Sequence, residues 1–288
     1  MDADLGKSTM TGEFAKKFPD RYFELGIAEH NLIGTAAGLA LGGKIPFAAS
    51  FACFLAGRFE TIRMSVASIN ANVKLVGTHA GIGIGEDGNS QMGLEDVSLM
   101  RSLPNMAVIQ PADDLETRQA IEWAANNRGP VYFRLTRQKV PDVHKENYKF
   151  QFGKGDVLLE ANTEKEKKIA ILATGGVVYN ALQAASELAK AGTGVIMVNI
   201  HTIKPLDEEL VRSLAQKFGK IVTVEDHNII GGLGSAVCEA AAETESASKV
   251  LRIGIKGYGE SGKPEELYEK YGLSIQGISK SIKDFLSK

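Results

Sequence analysis

Short aliphatic and β-branched runs alternate with helical periods along almost the whole chain, and this alternation restricts the fold more than any other feature. IPFAASF, VKLVGTH, MAVIQP and VYFRLT read as strands. Residues 26–42 are rich in Ala and Leu and stop at Gly42-Gly43, which predicts a helix. Residues 54–71 predict an amphipathic helix with Phe59, Ile62, Val66 and Ile69 on one face. LEDVSLMRSL and DDLETRQAIEWAANNR supply two more helices. A second series follows, with strands at KKIAILATG, GVIMVNI and KIVTVED. Its helices are VVYNALQAASELAKAG, EELVRSLAQKF, SAVCEAAAE and the amphipathic tail SIQGISKSIKDFLSK. Strand and helix at this spacing imply βαβ units and mostly parallel sheets. Between the two series the chain turns polar and lysine-rich, as a linker would. The expected architecture is α/β in two domains, each a mostly parallel sheet flanked by helices: residues 1–138, a linker at 139–166, and residues 167–288.

Several function classes drop out on composition. With 33 basic and 35 acidic residues the net charge is −2, which argues against a nucleic-acid partner. The longest apolar stretch, from Ile27 to Leu41, carries Glu29, His30 and Asn31 and is too short and polar to span a bilayer, so no membrane role is expected. MDADLGKSTM has neither the basic start nor the apolar core of a signal peptide, which points to the cytoplasm. Cys53 and Cys238 are the two cysteines, too few for a disulfide framework or a multi-cysteine metal centre. His-x-x-Glu and Cys-x-x-Cys spacings are absent, so no metal site is expected in this chain.

Five segments could carry chemistry. In GIAEHN, Glu29 falls in the first turn of a helix. A carboxylate there offsets the helix dipole by a few tenths to about 1 kcal/mol. Alternatively, it lies in an apolar cleft among Ile27, Leu32 and nearby phenylalanines and shares a proton with a ligand nitrogen. In SFACFLAGR, Phe51 and Phe54 are spaced either as core or as a slot for a planar ring. Cys53 between them has no neighbouring cation and reads as inert. In GTHAGIGIGEDGNSQ, glycines at 81, 83, 85 and 88 follow a strand, where open α/β sheets bind ligands. No helix opens at once, and Glu86 and Asp87 would repel a pyrophosphate, so the loop is not a dinucleotide site. Its glycines let the backbone approach a small polar ligand, bracketed by His79 and Asp87. In RLTRQ, Arg134 and Arg137 either bind phosphate or are solvated surface charges. In VEDHNIIGGLGSAV, Gly231, Gly232 and Gly234 precede a helix whose amides could hold an anion; tight packing is the favoured reading.

These segments, in this order, resemble the C-terminal half of transketolase. The likeness rests on DADLGKST, GIAEHN, the FACF run, IRMSVA, GTHAGIGIGEDGNSQMGLED, RSLPNMAVIQPAD, RLTRQ, KPLD and VEDHNIIGGLGSAV, and runs from residue 2 to about 285. It implies a pyrimidine-binding domain followed by a transketolase C-terminal domain, using thiamine diphosphate. Only the pyrimidine end of the cofactor would be held here, because the Gly-Asp-Gly motif that binds the metal with the diphosphate is absent. A separate N-terminal subunit would hold the diphosphate and its Mg or Ca, in an α2β2 assembly acting on phosphorylated sugars. By resemblance, Glu29 hydrogen-bonds the aminopyrimidine nitrogen, Ile27 keeps the cofactor bent, and Phe51 and Phe54 enclose the ring. Asp87 reads a donor hydroxyl, while Ser8, His79 and Arg137 hold sugar and phosphate. Gln91 stands where some members have histidine. Family chains also carry a helix and strand ahead of Asp2, with a phosphate-binding arginine; this sequence starts inside that region. The implied activity is transfer of a two-carbon ketol unit. The alternatives are another enzyme of this cofactor class (deoxyxylulose-phosphate synthase, or the β chain of an oxo-acid dehydrogenase) and a non-catalytic sugar-phosphate-binding module.

Overall fold

The computed structural model describes residues 1–245 and 247–287. Its first half contains α1 (Thr11–Lys17), α2 (Glu29–Leu41), β1 (Phe47–Phe51), α3 (Ala52–Ala56), α4 (Phe59–Ile62), β2 (Lys74–Thr78), α5 (Asp96–Arg101), β3 (Ala107–Ile109), α6 (Asp114–Asn126) and β4 (Val131–Arg134). The second half contains β5 (Asp156–Ala161), β6 (Lys168–Ala173), α7 (Val178–Lys190), β7 (Gly194–Asn199), β8 (Thr202–Lys204), α8 (Glu208–Phe218), β9 (Lys220–Asn228), α9 (Leu233–Ala242), β10 (Lys249–Ile255), α10 (Pro264–Lys270) and α11 (Ile275–Leu286). Among the described residues no helix is long and apolar enough to cross a membrane.

Two five-stranded sheets form, ordered β1-β2-β4-β3-β8 and β10-β9-β6-β7-β5. Within each, every pairing is parallel except at one edge, where β8 runs antiparallel to β3 and β5 antiparallel to β7. The two mostly parallel sheets flanked by helices match the expected fold class. Their central strands are buried on both faces and therefore read as unbroken apolar runs. The second half supplies β8 to the edge of the first sheet, so the sheets share a covalent as well as a packed boundary. Apolar contact continues across it: Phe51, Ile82, Ile84 and Met92 lie in one cluster with Ile171, Val224 and Ile255.

Two expectations change. The single helix over 54–71 is instead α3, α4 and a π-helical turn at Arg63–Ala67, with the break at Gly57-Arg58. The wider turn shifts the phase of the helix, so Ile62 and Val66 are buried while Ile69 is half exposed. The stretch read as a linker, 139–166, contains β5 and packs closely. Its polar side chains alternate with half-buried ones along an edge strand, a weak period that an apolar-run reading misses. Upstream of β5, Phe152 stacks on Trp123 at 3.9 Å between ring centroids.

The same stretch carries a buried charged cluster that joins both halves. The Asp113 carboxylate caps α6 by accepting from the Glu116 amide at 2.9 Å, and accepts from the Val143 and His144 amides at 3.0 Å. His144 Nδ1 lies 2.8 Å from the same carboxylate, and its Nε2 lies 3.3 Å from Asp156. Glu116 accepts from the Tyr148 hydroxyl and from the Asn199 amide of β7. Burial alone would lower the His144 pKa. Hydrogen bonds to Asp113 and Asp156, with the charge of Glu116, override it and push the imidazole up to about 9. A histidine near 6.5 when unfolded and about 9 when folded contributes stability that is complete below pH 6.5 and fades as pH rises through 9. The difference in urea midpoint between the parent and His144→Gln should therefore be largest near pH 6 and shrink towards pH 9 to 10. A difference that stays constant over that range would show that His144 is not the charged member of the cluster.

Candidate functional site

The C-terminal ends of β1, β2 and β4 converge on one edge of the first sheet, the usual ligand side of an open α/β sheet. Phe51 closes β1 and Phe54 follows one turn into α3. Their rings stack with centroids 5.5 Å apart and planes 11° from parallel. His79, just past β2, stacks on Phe51 at 4.1 Å and 18°. Three planar groups thus form one continuous wall, where each such pair adds about 0.5–1.5 kcal/mol beyond area burial. His79 is held at φ 58°, with Nδ1 3.0 Å from the Thr78 hydroxyl. Burial lowers its pKa, Arg137 lowers it further and Asp87 opposes, so the imidazole is neutral at pH 7. Cys53 lies between the phenylalanines with its thiol pushed up to about 12 by burial, the inert state expected of it.

Glu29 is the first residue of α2, which packs on β1 and on α4. Its side chain is only 7% exposed. Among the described residues its carboxylate accepts no hydrogen bond, and the charge nearest to it is Arg58 Nη2 at 3.9 Å. Neither oxygen is a sealed buried orphan, so the carboxylate remains reachable by a ligand. Leu32 is fully buried in the core beneath, as expected, but Ile27 is 83% exposed and does not line a cleft within this chain. The reason is local. Gly26 at φ 70° turns the chain just before α2, and no described element covers Ile27.

The remaining candidates separate into two sets. Arg137 donates to the Ile84 carbonyl at 2.6 Å and lies 3.8 Å from Asp87 and 3.9 Å from Glu86, so Arg137, Asp87 and the glycine loop are together. Gln91, half-buried, ends the next 3-10 turn, Asn89–Gln91. Ser8 is exposed on a loop tied down by Asp2, whose carboxylate accepts from the Leu5 amide and the Thr9 and Thr11 hydroxyls.

Arg134 does not belong with them. It is 1% exposed and donates to Asp96 at 2.8 Å and to the carbonyls of Gly93 and Asp226, so its guanidinium is enclosed in the protein interior. The amides at the start of α9 are likewise taken: Leu233 and Gly234 donate to Glu225 at 2.7 and 2.8 Å. Gly232 is needed there because a Cβ would stand 2.0 Å from the Glu225 carboxylate. Burial pushes Glu225 up to about 7, against the pull of those two amides. The close-packing reading of that glycine segment is the one realised. Asp226, next along β9, accepts from the amides of Ile82 and Gly83 and from the Tyr268 hydroxyl. Gly81, at φ 85°, is obligatory because a Cβ would meet that carboxylate at 2.2 Å.

Arg58, Asp96 and Asp226 were not singled out from sequence. For Asp226 a signal was available, since KIVTVEDHN ends a continuous apolar strand in three ionisable residues. Arg134→Met, which strands Asp96 without its cation, should lower unfolding free energy by about 3–5 kcal/mol in guanidinium titrations. A loss below about 1 kcal/mol would place the pair outside the stabilising core.

Residues 1–143 match the family described as transketolase, pyrimidine binding domain, and residues 159–278 match transketolase, C-terminal domain. A putative transketolase C-terminal section from Methanocaldococcus jannaschii is 46% identical over all of this chain and 90% of its own length. The 6-deoxy-6-sulfo-D-fructose transketolase subunit of a Clostridium species is 41% identical over 96% of this chain and 85% of its own. A solved structure described as a split gene transketolase, inactive beta4 tetramer, superposes with a TM-score of 0.89 at 44% identity, covering 99% of this chain and 91% of that one.

Proposed function

Because the chain belongs to the transketolase family, we propose that it is the C-terminal section of a split transketolase, transferring a two-carbon ketol unit between phosphorylated sugars once an N-terminal subunit joins it. One observation carries this reading: the Glu29 carboxylate is buried, takes no hydrogen bond among the described residues, and belongs to the same sheet edge as the Phe51–Phe54 stack. An aminopyrimidine ring fits both features, offering a flat face to the phenylalanines and a ring nitrogen to the carboxylate. A module that merely binds sugar phosphate has no use for a buried carboxyl at that point.

Thiamine diphosphate, when bound, supplies the carbon nucleophile and the electron sink for breaking the bond beside a ketose carbonyl. The chain's own residues bind and orient. Glu29 shares a proton with the ring nitrogen, and Phe51 and Phe54 hold the ring plane. Ile27, open in the single chain, supports the bend of the cofactor once the partner covers it. Asp87 accepts from a donor hydroxyl. His79, being neutral, hydrogen-bonds the sugar without adding charge. Ser8 and Arg137 face the anionic end of the substrate; Arg137, 45% exposed, is held to the Ile84 carbonyl through Nη1, with Glu86 and Asp87 no closer than 3.8 Å. Gln91 stands beside the sugar path. The diphosphate and its divalent metal, Mg or Ca, fall to the N-terminal subunit in an α2β2 assembly. Pocket residues belong to the domain ending near residue 138, and the domain from 167 onward braces the glycine loop through Asp226.

Reconstitution with the N-terminal diphosphate-binding subunit, Mg and thiamine diphosphate tests the reading. Ketol transfer from a ketose phosphate is expected, and pyruvate, the donor of the rival thiamine enzymes, should not be decarboxylated. Glu29→Gln should lower turnover by about 10²- to 10⁴-fold with the subunit ratio in sedimentation unchanged. Full activity in that variant would refute the assignment.

A further inference from the structure

We infer that Glu24 is a positioning residue whose carboxylate clamps the Ser8 loop to the Gly26 turn, so that the contact for the substrate anion and the contacts for the cofactor ring are set as one unit; this deepens the transketolase reading and rests on it. Asp2 pairs in parallel both with Ala49 of β1 and with Glu24. The Asp2 amide donates to the Phe23 carbonyl at 3.1 Å, and the Leu25 amide donates to the Asp2 carbonyl at 3.0 Å. The segments through Asp2 and Glu24 therefore extend the first sheet past β1 and leave it at the end where Phe51 stands. One segment goes on to Ser8, the other to Ile27 and Glu29.

Both segments turn as they leave. Asp4 is left-handed at φ 62° and Gly26 at φ 70°. A Cβ at Gly26 would meet nothing within 4 Å, so glycine serves the backbone angle there rather than the space. The two turns aim their amides at one atom. Glu24 Oε1 accepts from the Asp4 amide at 2.7 Å and from the Gly26 amide at 3.0 Å, while Oε2 accepts from the Tyr22 hydroxyl at 2.9 Å. That hydroxyl lies 2.9 Å from where a Cβ on Gly6 would stand, so Gly6 lets the Ser8 loop close on the tyrosine. Burial would raise the Glu24 carboxyl, but the Asp4 and Gly26 amides and the Tyr22 hydroxyl outweigh it and hold it below the usual glutamate value. Bonds to the anion are stronger than bonds to a neutral acceptor. Among the described residues no hydrogen bond directly joins residues 3–11 to residues 25–31, so past the paired segments Glu24 carries the link.

Removing the clamp loosens Ser8 and the Ile27–Glu29 segment from each other without deleting any of them. The measurement is steady-state ketol transfer by the complex reconstituted with the N-terminal subunit, Mg and saturating thiamine diphosphate, using a ketose phosphate and the same ketose without its phosphate as donors. In Glu24→Ala the ratio of kcat/KM for the phosphorylated over the plain donor should fall about tenfold, and in separate titrations the dissociation constant of thiamine diphosphate should rise about tenfold. Glu24→Asp keeps the charge but is too short to hold both amides, and should lose as much. Glu24→Gln keeps an acceptor oxygen within reach of both amides and should restore most of each. If Glu24→Ala does not assemble, Glu24→Asp carries the same expectation. A donor ratio equal to the parent's in both shortened variants, as general loss of folded protein would give, would overturn the role of Glu24 while leaving the transketolase reading intact. Absence of ketol transfer from either donor in the parent complex would overturn that reading itself.

Discussion

A buried arginine anchors the boundary between the two halves of this molecule. Arg134 ends β4 of the first sheet, and its guanidinium reaches the Asp96 carboxylate at the start of α5, the Gly93 carbonyl after the glycine loop and the Asp226 carbonyl of β9. The carboxylate of Asp226 then returns across the boundary to the amides of Ile82 and Gly83. Charges this deep are tolerated because nearly every lone pair and proton has a partner, and because a fork-shaped donor can satisfy three acceptors at once. The glycine loop that carries Asp87 towards the ligand side is fixed by this exchange from beneath. Its conformation therefore belongs to both domains.

The pocket obeys the opposite rule. At the domain boundary Arg134 and Asp226 are held by several hydrogen bonds, although Asp96 Oδ1 and His227 Nε2 are buried without one; Glu29 accepts none among the described residues, and Ile27 is left open. Folding and chemistry are thus separated in space. The buried network holds a frame that is complete in one chain, and the frame presents a surface that is incomplete. A carboxyl that accepts no hydrogen bond among the described residues and a large aliphatic residue 83% exposed both stand open on the same side of the first domain.

Much of this was legible in the residues. The alternation of the central strands and the main helices followed from period, because parallel strands buried on both faces announce themselves as apolar runs. Glu29 at the start of α2, the Phe51–Phe54 stack and His79 at the end of β2 all fell where pattern put them. What could not be read was pairing between distant residues. Nothing in RLTRQ distinguishes Arg134, fully enclosed, from Arg137, half in solvent; the two separate because β4, buried along its whole length, ends at Arg134 and Arg137 lies beyond it. The edge strands β5 and β8 were hidden for a related reason, since each is short or polar and takes its identity from the neighbour it pairs with. The helix over 54–71 failed on Gly57, whose cost to a helix of about 1 kcal/mol is small enough that tertiary context decides.

That break has consequences beyond geometry. A continuous helix through Phe59 and Ile62 would have satisfied the apolar period equally well, yet it would have carried Arg58 along a regular helical surface. Interrupting it brings the Arg58 guanidinium to 3.9 Å from the Glu29 carboxylate. Local irregularity of this kind is expected at sites where chemistry overrides propensity, and it is cheap here because the residues on either side, Leu55 and Ile62, are fully buried and hold the chain on both flanks of the gap.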